Sequence, residues 1–286
     1  LGYDIFEGNT FEGKTMLPVL KGIQQRYGFG KPVVVADAAM LSHENLDALD
    51  REQYPFIVAA RMRNETHRVQ EKILQRCAGL RDGQCIEMPH EKNRRLIVAY
   101  SDKRAAKDGH NRKRGLAKLR KRVGCGQLTK DNLNNRGYNK FLKLTGEVLV
   151  EIDESKVEQA ARWDGLKGYL TNTDLPPGAV IENYGQLWQV EKAFRISKTD
   201  LRIRPMYHRR RRRIEAHVLV AFVAYTIYKE LERCLHVASV PVSPQRAAEL
   251  TQTMYEMTFR LPNDPQERRT LLKMNDEQQR LYGLIN

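Results

Sequence analysis

The sequence predicts an α/β fold in which a mixed sheet, flanked by helices, is interrupted by a β-rich insertion. Residues 1–61 alternate between strand and helix patterns, and their apolar runs within 31–37 and 56–60 are typical of strands buried on both faces. The alternation stops after residue 61 and returns at residue 164. We therefore expect one core assembled from two separate parts of the chain.

The first part of the core, residues 1–61, begins with a strand pattern that ends at the turn Gly8-Asn9. An amphipathic helix pattern follows at 15–27 and is closed by Gly28. Ser42 then marks the start of a short helix that leads into the second buried strand.

The predicted insertion, residues 62–163, differs from the core in its strand content and its charge. We expect a strand at 94–100, a strongly basic helix at 103–122 and a hairpin at 138–152.

Residues 164–233 are the predicted second part of the core, and residues 234–286 are a predicted helical C-terminal segment. The apolar run 217–228 is too short to cross a bilayer, so we expect it to form a buried helix. The elements expected in these segments are a strand at 166–170, a helix at about 180–198, a helix at about 214–233, a helix opened by Ser243-Pro244 and a final helix opened by Asn275-Asp276.

The chain is strongly basic, with 49 Lys and Arg against 35 Asp and Glu, a formal net charge of +14 at pH 7 and a pI near 9.7. This balance favours a polyanionic partner, most commonly nucleic acid, although a merely basic enzyme has the same composition. Dense basic runs at 103–122 and 209–213 favour contact with a DNA backbone over a solvated surface. The four scattered cysteines form no zinc-ligand pattern and suit a reducing cytoplasm.

Asp37 is the first candidate for chemistry, because it directly follows an apolar run. Functional groups collect at the carboxyl ends of strands in open α/β sheets. The alternative is a turn or N-cap aspartate that only closes the strand.

Glu191 is the second candidate, and it lies in the predicted helix 180–198. Tyr184 and Lys198 are seven residues away on either side, so a continuous helix would present all three on one face. Bulky apolar neighbours, Trp188 among them, indicate a partly buried face. The alternative is a structural glutamate paired with a lysine or arginine.

The spacing of Tyr184, Glu191 and Lys198 resembles the Tyr-x2-Arg-x3-Glu-x6-Lys signature of a large group of insertion-sequence DDE transposases, with Leu187 at the arginine position. Further tracts resemble that group in the same order, so the likeness covers nearly the whole chain. These tracts are residues 2–16, 33–45, 163–173, 182–208 and 212–225. The resemblance implies an RNase-H-like fold for the predicted α/β core.

The resemblance also implies roles for the candidate residues. Asp37 and Glu191 would be the second and third acidic residues of a catalytic triad that holds two divalent cations, Mg²⁺ or Mn²⁺, during cleavage and strand transfer. Tyr184 and Lys198 would contact DNA phosphate near the scissile bond.

Further residues are assigned to DNA contact. For Trp188, packing in the core is favoured over stacking on a flipped base. The additional assignments are Trp188, Arg195, Arg209, Arg210 and Arg211.

In the resembling group, the first acidic residue lies on a strand that precedes the one at the start of this chain. Asp4 falls in the later strand, so we expect an ordinary exposed strand residue there. We therefore expect an N-terminally truncated transposase, whose residues 1–286 cannot complete a two-metal site alone.

The expected function is that of a DNA transposase acting on terminal inverted repeats and on target DNA, as a homodimer on DNA and without a membrane. One alternative is a catalytically inactive DNA-binding relic of a decayed transposon. Another is a nuclease of the same fold, which end-joined products would distinguish from a transposase.

Overall fold

The computed structural model describes residues 4–7, 10, 14–37, 42–126, 128, 132–134, 136–145, 149–199, 201, 203–261 and 266–285. The chain forms two compact units. The sheet unit consists of residues 6–187, and the helical unit consists of residues 188–286 together with residues 1–5.

A five-stranded mixed sheet lies at the centre of the sheet unit. Its strands are β1 (Val34–Ala36), β2 (Phe56–Ala59), β3 (Cys85–Pro89), β4 (Arg95–Tyr100) and β7 (Leu166–Thr171). The strand order is β1-β2-β7-β4-β3; β1 runs parallel to β2, and the other neighbouring pairs are antiparallel. This mixed sheet confirms the predicted α/β class and is consistent with an RNase-H-like domain.

Helices cover both faces of this sheet. They are α1 (Met16–Tyr27), α2 (His43–Arg51), α3 (His67–Cys77) and α6 (Pro177–Gly185). Val58 packs with residues of α1 and α2 on one face, whereas its neighbour Ile57 packs with Val180 of α6 on the other. Because side chains alternate along a strand, β2 is buried on both sides, as its apolar run predicts.

The remaining elements of the sheet unit form a smaller core of their own. They are α4 (Asp102–Gly124), β5 (Leu142–Thr145), β6 (Leu149–Ile152) and α5 (Glu154–Ala161). Leu116 and Leu119 of α4 pack there with Phe141 and Val150, and β5 pairs antiparallel with β6. The basic helix and the hairpin predicted within 62–163 are therefore confirmed, but β3 and β4 belong to the main sheet because β4 pairs with β7 along its whole length.

The helical unit contains α7 (Leu187–Thr199, with its first residue in the sheet unit), α8 (Arg211–Val237), α9 (Pro244–Thr251), β8 (Glu256–Arg260), β9 (Glu267–Leu271) and α10 (Asp276–Ile285). Its core joins Leu235 of α8 to Leu250 of α9 and Leu281 of α10. The side chain of Ser243 accepts a hydrogen bond from the Arg246 N–H, so the predicted helix start there is confirmed.

Two helix predictions are wrong. The single helix expected at 180–198 is divided at Gln186 into α6, whose last residue is Gly185, and α7. The run 217–228 is helical but not buried: Val220 is 69% exposed and Ile227 is 65% exposed. In α8 the buried position is Leu235, near the C-terminal end. None of the helices in the described part of the chain has the length and apolar character needed to cross a bilayer.

The strand predicted at the start of the chain is not found in residues 4–7, which have no regular secondary structure. Asp4 is exposed, as expected, although not on a strand. The turn expected at Gly8-Asn9 lies outside the described residues.

Candidate active site and DNA-binding surface

Asp37 directly follows β1 and is exposed. Because β1 and β2 are parallel, with Ala36 opposite Val58, both strands finish at the same end of the sheet. The antiparallel strand β7 begins at that end, and β4 finishes there. We call it the carboxyl end of the sheet. Asp37 thus lies at the carboxyl end of a strand, as predicted, and this is the end at which α/β sheets present functional groups.

Helix α7 presents four candidate residues along one exposed stripe. Trp188, Glu191, Arg195 and Lys198 are spaced by three, four and three residues, so they share a face of the helix, and all four are exposed. We call this stripe the α7 face. Ile196, on another side of the helix, is its buried residue.

The predicted partial burial around Glu191 is therefore wrong, and so is the favoured core packing of Trp188, whose side chain is 56% exposed. The attachment of α7 to α8 explains the difference. Lys192 forms an ion pair with Glu232 of α8 and lies 5.8 Å from the centre of the Trp188 ring. The buried Ile196 and this ion pair lie away from the α7 face, which faces solvent.

Tyr184 lies on α6 rather than α7 and is buried, whereas Glu191 and Lys198 are exposed, so the continuous helix predicted to carry all three is not found. Its ring is buried and meets the ring of Tyr169 edge-on, with 5.1 Å between the ring centres. The ammonium group of Lys167 lies 4.3 Å from the centre of the Tyr184 ring. Contact of Tyr184 with DNA stays a prediction.

The arginine run 209–213 surrounds the N-terminus of α8. Arg209 and Arg210 are exposed just before the helix, and the first turn contains no acidic residue. Arg211 forms an ion pair of 2.8 Å with Glu215, one turn further along. Positive charge at a helix N-terminus opposes the helix dipole, so the run weakens the helix that carries it. An anionic partner would offset that cost.

We expect the substitution Arg212→Glu to stabilise the helical unit by about 0.5–1 kcal/mol, because it replaces an unfavourable charge in the first turn with a favourable one. The same substitution should weaken DNA binding and lower its salt dependence. Thermal unfolding and salt-dependent DNA binding measure the two effects. Arg212→Gln is the control, because it removes the positive charge without adding a negative one. A stabilised variant with unchanged DNA affinity would show that the run is an ordinary solvated surface.

The model of the family described as "Transposase DDE domain" matches residues 1–227 of the chain. The chain belongs to this family. Comparisons with curated proteins and with solved structures give no match. The matched range contains Asp37, the α7 face and the arginine run, and it ends within α8. Transposases of this family act on DNA and generally use divalent metal ions.

The chemistry of the two candidate carboxylates fits a divalent metal in this transposase. Asp37 and Glu191 offer hard oxygen donors, and both are exposed, so a cation that keeps part of its water shell can reach them. Within the described residues, no three side chains of the His, Cys, Asp or Glu type come together as a metal-binding group. The assignment of these two carboxylates therefore rests on position and chemistry.

Three cationic residues at the carboxyl end of the sheet, Arg61, Arg63 and Lys167, were not predicted from the sequence as site residues. The available signal was the pair of glycines in the stretch 163–170. A Cβ atom at Gly168 would lie 2.6 Å from the Met62 sulfur, and one at Gly165 would lie 2.9 Å from the Ser101 carbonyl oxygen. Glycines with this spacing mark the close approach of other chain segments to a strand.

Proposed function

We propose that this chain provides the catalytic core of an insertion-sequence transposase that cleaves DNA at the ends of the element and joins those ends to target DNA. The observation that carries the proposal is the position of Asp37, an exposed carboxylate at the carboxyl end of the sheet in a chain of the DDE family. Glu191 is the second acidic group, on a helix face that it shares with cations.

In this proposal, Asp37 and Glu191 supply carboxylate oxygens to divalent cations, Mg²⁺ or Mn²⁺. When bound, such cations activate the attacking oxygen and stabilise the leaving oxygen of an in-line displacement at phosphorus. Lys198 and Arg195 lie within two turns of Glu191 on the α7 face. Lys198 would bind a DNA phosphate as a point charge and Arg195 would bind one through paired N–H groups, so both would hold the strand beside the acidic residue.

Trp188 provides a stacking surface one turn before Glu191. Its exposure supports contact between its ring and an unpaired base next to the cleaved position. The ammonium group of Lys192 beside the ring would hold the indole in place through a cation–π contact.

We expect Trp188→Ala to weaken binding to element-end DNA that carries an unpaired terminal base by about 5-fold to 150-fold, because base–aromatic stacking contributes roughly 1–3 kcal/mol. Trp188→Phe should retain most of the affinity. The thermal midpoint should change little, because the side chain is largely exposed. Equal losses on fully paired and unpaired DNA would contradict stacking and indicate a general packing role.

The proposed function is tested with protein expressed from the whole reading frame that encodes these residues, incubated with a plasmid bearing both element ends and with Mg²⁺ or Mn²⁺. Cleavage at the ends followed by joined products supports a transposase. Cleavage without joining supports a nuclease. DNA binding without cleavage in either metal overturns the proposal in favour of the inactive relic. Sedimentation of the DNA complex tests the homodimer, which we propose as the form that acts on paired ends.

A further inference from the structure

A cavity of about 510 Å³ opens at the carboxyl end of the sheet. The cavity arises because β2 ends before it has paired with the whole of β7. The hydrogen bond from the Ala60 N–H to the Gly168 carbonyl lies at the end of β2. The residues of β7 before Gly168 therefore have the cavity beside them where a neighbouring strand would otherwise lie. The short 3₁₀ helix Met62–Asn64 and the first turns of α4 close its other sides.

The lining of this cavity is strongly cationic. Three arginines and one lysine border it, against a single carboxylate, that of Asp108, and the Lys167 ammonium group lies against the Tyr184 ring. Asp108 lies 3.6 Å from Arg104, so this ion pair partly offsets one of the four positive charges, and Asp108 also accepts a hydrogen bond from the Gly165 N–H. The four cationic residues, which we call the basic pocket, are Arg61, Arg63, Arg104 and Lys167.

Arg104 lies close enough to Lys167 and to Arg63 to repel the positive charge of each. Burial, and then repulsion from Arg104, lower the pKa of the Lys167 ammonium. Burial also lowers the pKa of the Arg63 guanidinium, which lies 5.9 Å from the centre of the Trp163 ring. Partly desolvated positive charge of this kind becomes favourable when an anion enters the pocket.

The shape of the pocket depends on Gly168, because a Cβ atom there would lie 2.6 Å from the sulfur of Met62. Its absence lets the 3₁₀ helix, which follows Arg61 and contains Arg63, lie directly over the start of β7. The pocket is therefore held by backbone packing rather than by long surface side chains.

We propose that the basic pocket binds a backbone phosphate of the DNA strand that the transposase cleaves. This inference rests on the proposed function and adds a second phosphate site to it. Asp37 ends β1, and Lys167 begins β7, two strands away at the same end of the sheet. Two strand spacings are about 10 Å, roughly the rise of three nucleotides along one DNA strand. A phosphate in the pocket would thus fix the strand a few nucleotides from the acidic group.

The test measures DNA binding in EDTA, so that cleavage does not enter, across a range of salt concentrations. Lys167→Gln should reduce the affinity for element-end DNA about tenfold, as expected for the loss of a charge-assisted hydrogen bond, and should lower the salt slope by about 1. Lys72→Gln is the matched control, since Lys72 is exposed on α3 and does not line the pocket. Arg61→Gln serves as the second pocket variant, and thermal unfolding confirms that each variant is folded.

Inorganic phosphate alone provides a second measurement. Added to the wild-type protein, it should raise the pKa of the Lys167 ammonium, observed by NMR of the labelled lysine side chain. No response to phosphate, or equal DNA affinities for Lys167→Gln and Lys72→Gln, overturns the pocket. Tight, Lys167-dependent DNA binding without any cleavage would overturn the proposed function while leaving the pocket supported.

Discussion

Replacing Glu191 with Gln is expected to slow metal-dependent cleavage of element-end DNA on the order of 10³-fold, because divalent cations contribute several kcal/mol to this type of displacement. Glutamine has almost the same shape but offers only a neutral oxygen to a cation. Since Glu191 is exposed on α7, the substitution removes no buried contact, and the fold and the DNA affinity should stay unchanged. Single-turnover cleavage rates at saturating DNA, with protein expressed from the whole reading frame, measure the effect.

Glu182→Gln is the matched control, because Glu182 is also an exposed glutamate on a helix and the charge change is identical. It should cleave at nearly the wild-type rate. Asp37→Asn provides a sharper comparison: if Asp37 and Glu191 act in one metal-dependent step, the double variant should be no slower than either single variant. Losses that multiply in the double variant, or a wild-type rate for Glu191→Gln, would remove these residues from a shared catalytic role.

The buried strands and the cap-defined helices were predictable because their signals are local. Continuous apolar residues specify β2 whatever surrounds it, and Ser243 starts α9 through its own side chain. The basic helix was equally clear, since charge excludes most of α4 from a core. These elements need no knowledge of the tertiary fold.

The break between α6 and α7 had a local signal that a regular spacing concealed. Seven-residue intervals fit a continuous helix, yet Gly185 lies inside that interval and ends α6. The exposure of Trp188 had no local signal, because it depends on which side of α7 packs, and contacts of that helix such as the ion pair between Lys192 and Glu232 join residues 40 positions apart. The basic pocket likewise brings together residues of three chain segments, which no single-segment pattern contains.

The two ends of the sheet carry different kinds of charge. At the carboxyl end, Asp37 is exposed and the basic pocket holds cations near one another. At the amino end, Arg94 is only 5% exposed and is surrounded by acceptors. Unbalanced charge suits binding of a ligand, and balanced buried charge suits stability, so we infer that function and stability are divided between the ends of the sheet.

At the amino end of the sheet, Arg94 lies at the centre of a network of hydrogen bonds. The guanidinium of Arg94 donates hydrogen bonds of 2.9 and 2.6 Å to Asp50 Oδ2 and one of 2.8 Å to Asp47 Oδ1. Asn172 donates to the other oxygen of Asp50, at 3.0 Å, and its own side-chain oxygen accepts from the Phe56 N–H. The network therefore ties α2 to the ends of β2, β4 and β7.

Asp50→Ala should lower the free energy of unfolding by about 3 kcal/mol, because it leaves a buried guanidinium without its main partner. Urea unfolding of the variant measures this loss. DNA affinity should stay at the wild-type value, because the basic pocket lies at the other end of the sheet. Asp47→Ala is the comparison: Asp47 is 38% exposed and accepts one bond from Arg94, so its loss should cost clearly less.

Acid unfolding tests the contribution of Asp47 to stability. Hydrogen bonds from Lys92, and then from Arg94, hold the pKa of Asp47 below its ordinary value. The stability that this carboxylate contributes is present above an ordinary aspartate pKa of about 3.9 and is lost as the pH falls through the lowered value in the folded state. The Asp47→Ala variant should therefore lose less free energy of unfolding between neutral and acid pH than the wild type.

One outcome would contradict the assigned role of Asp50. If Asp50→Ala lowers the free energy of unfolding less than Asp47→Ala does at neutral pH, then Arg94 is held chiefly by its packing 5.7 Å from the Phe56 ring centre, and the carboxylates are secondary.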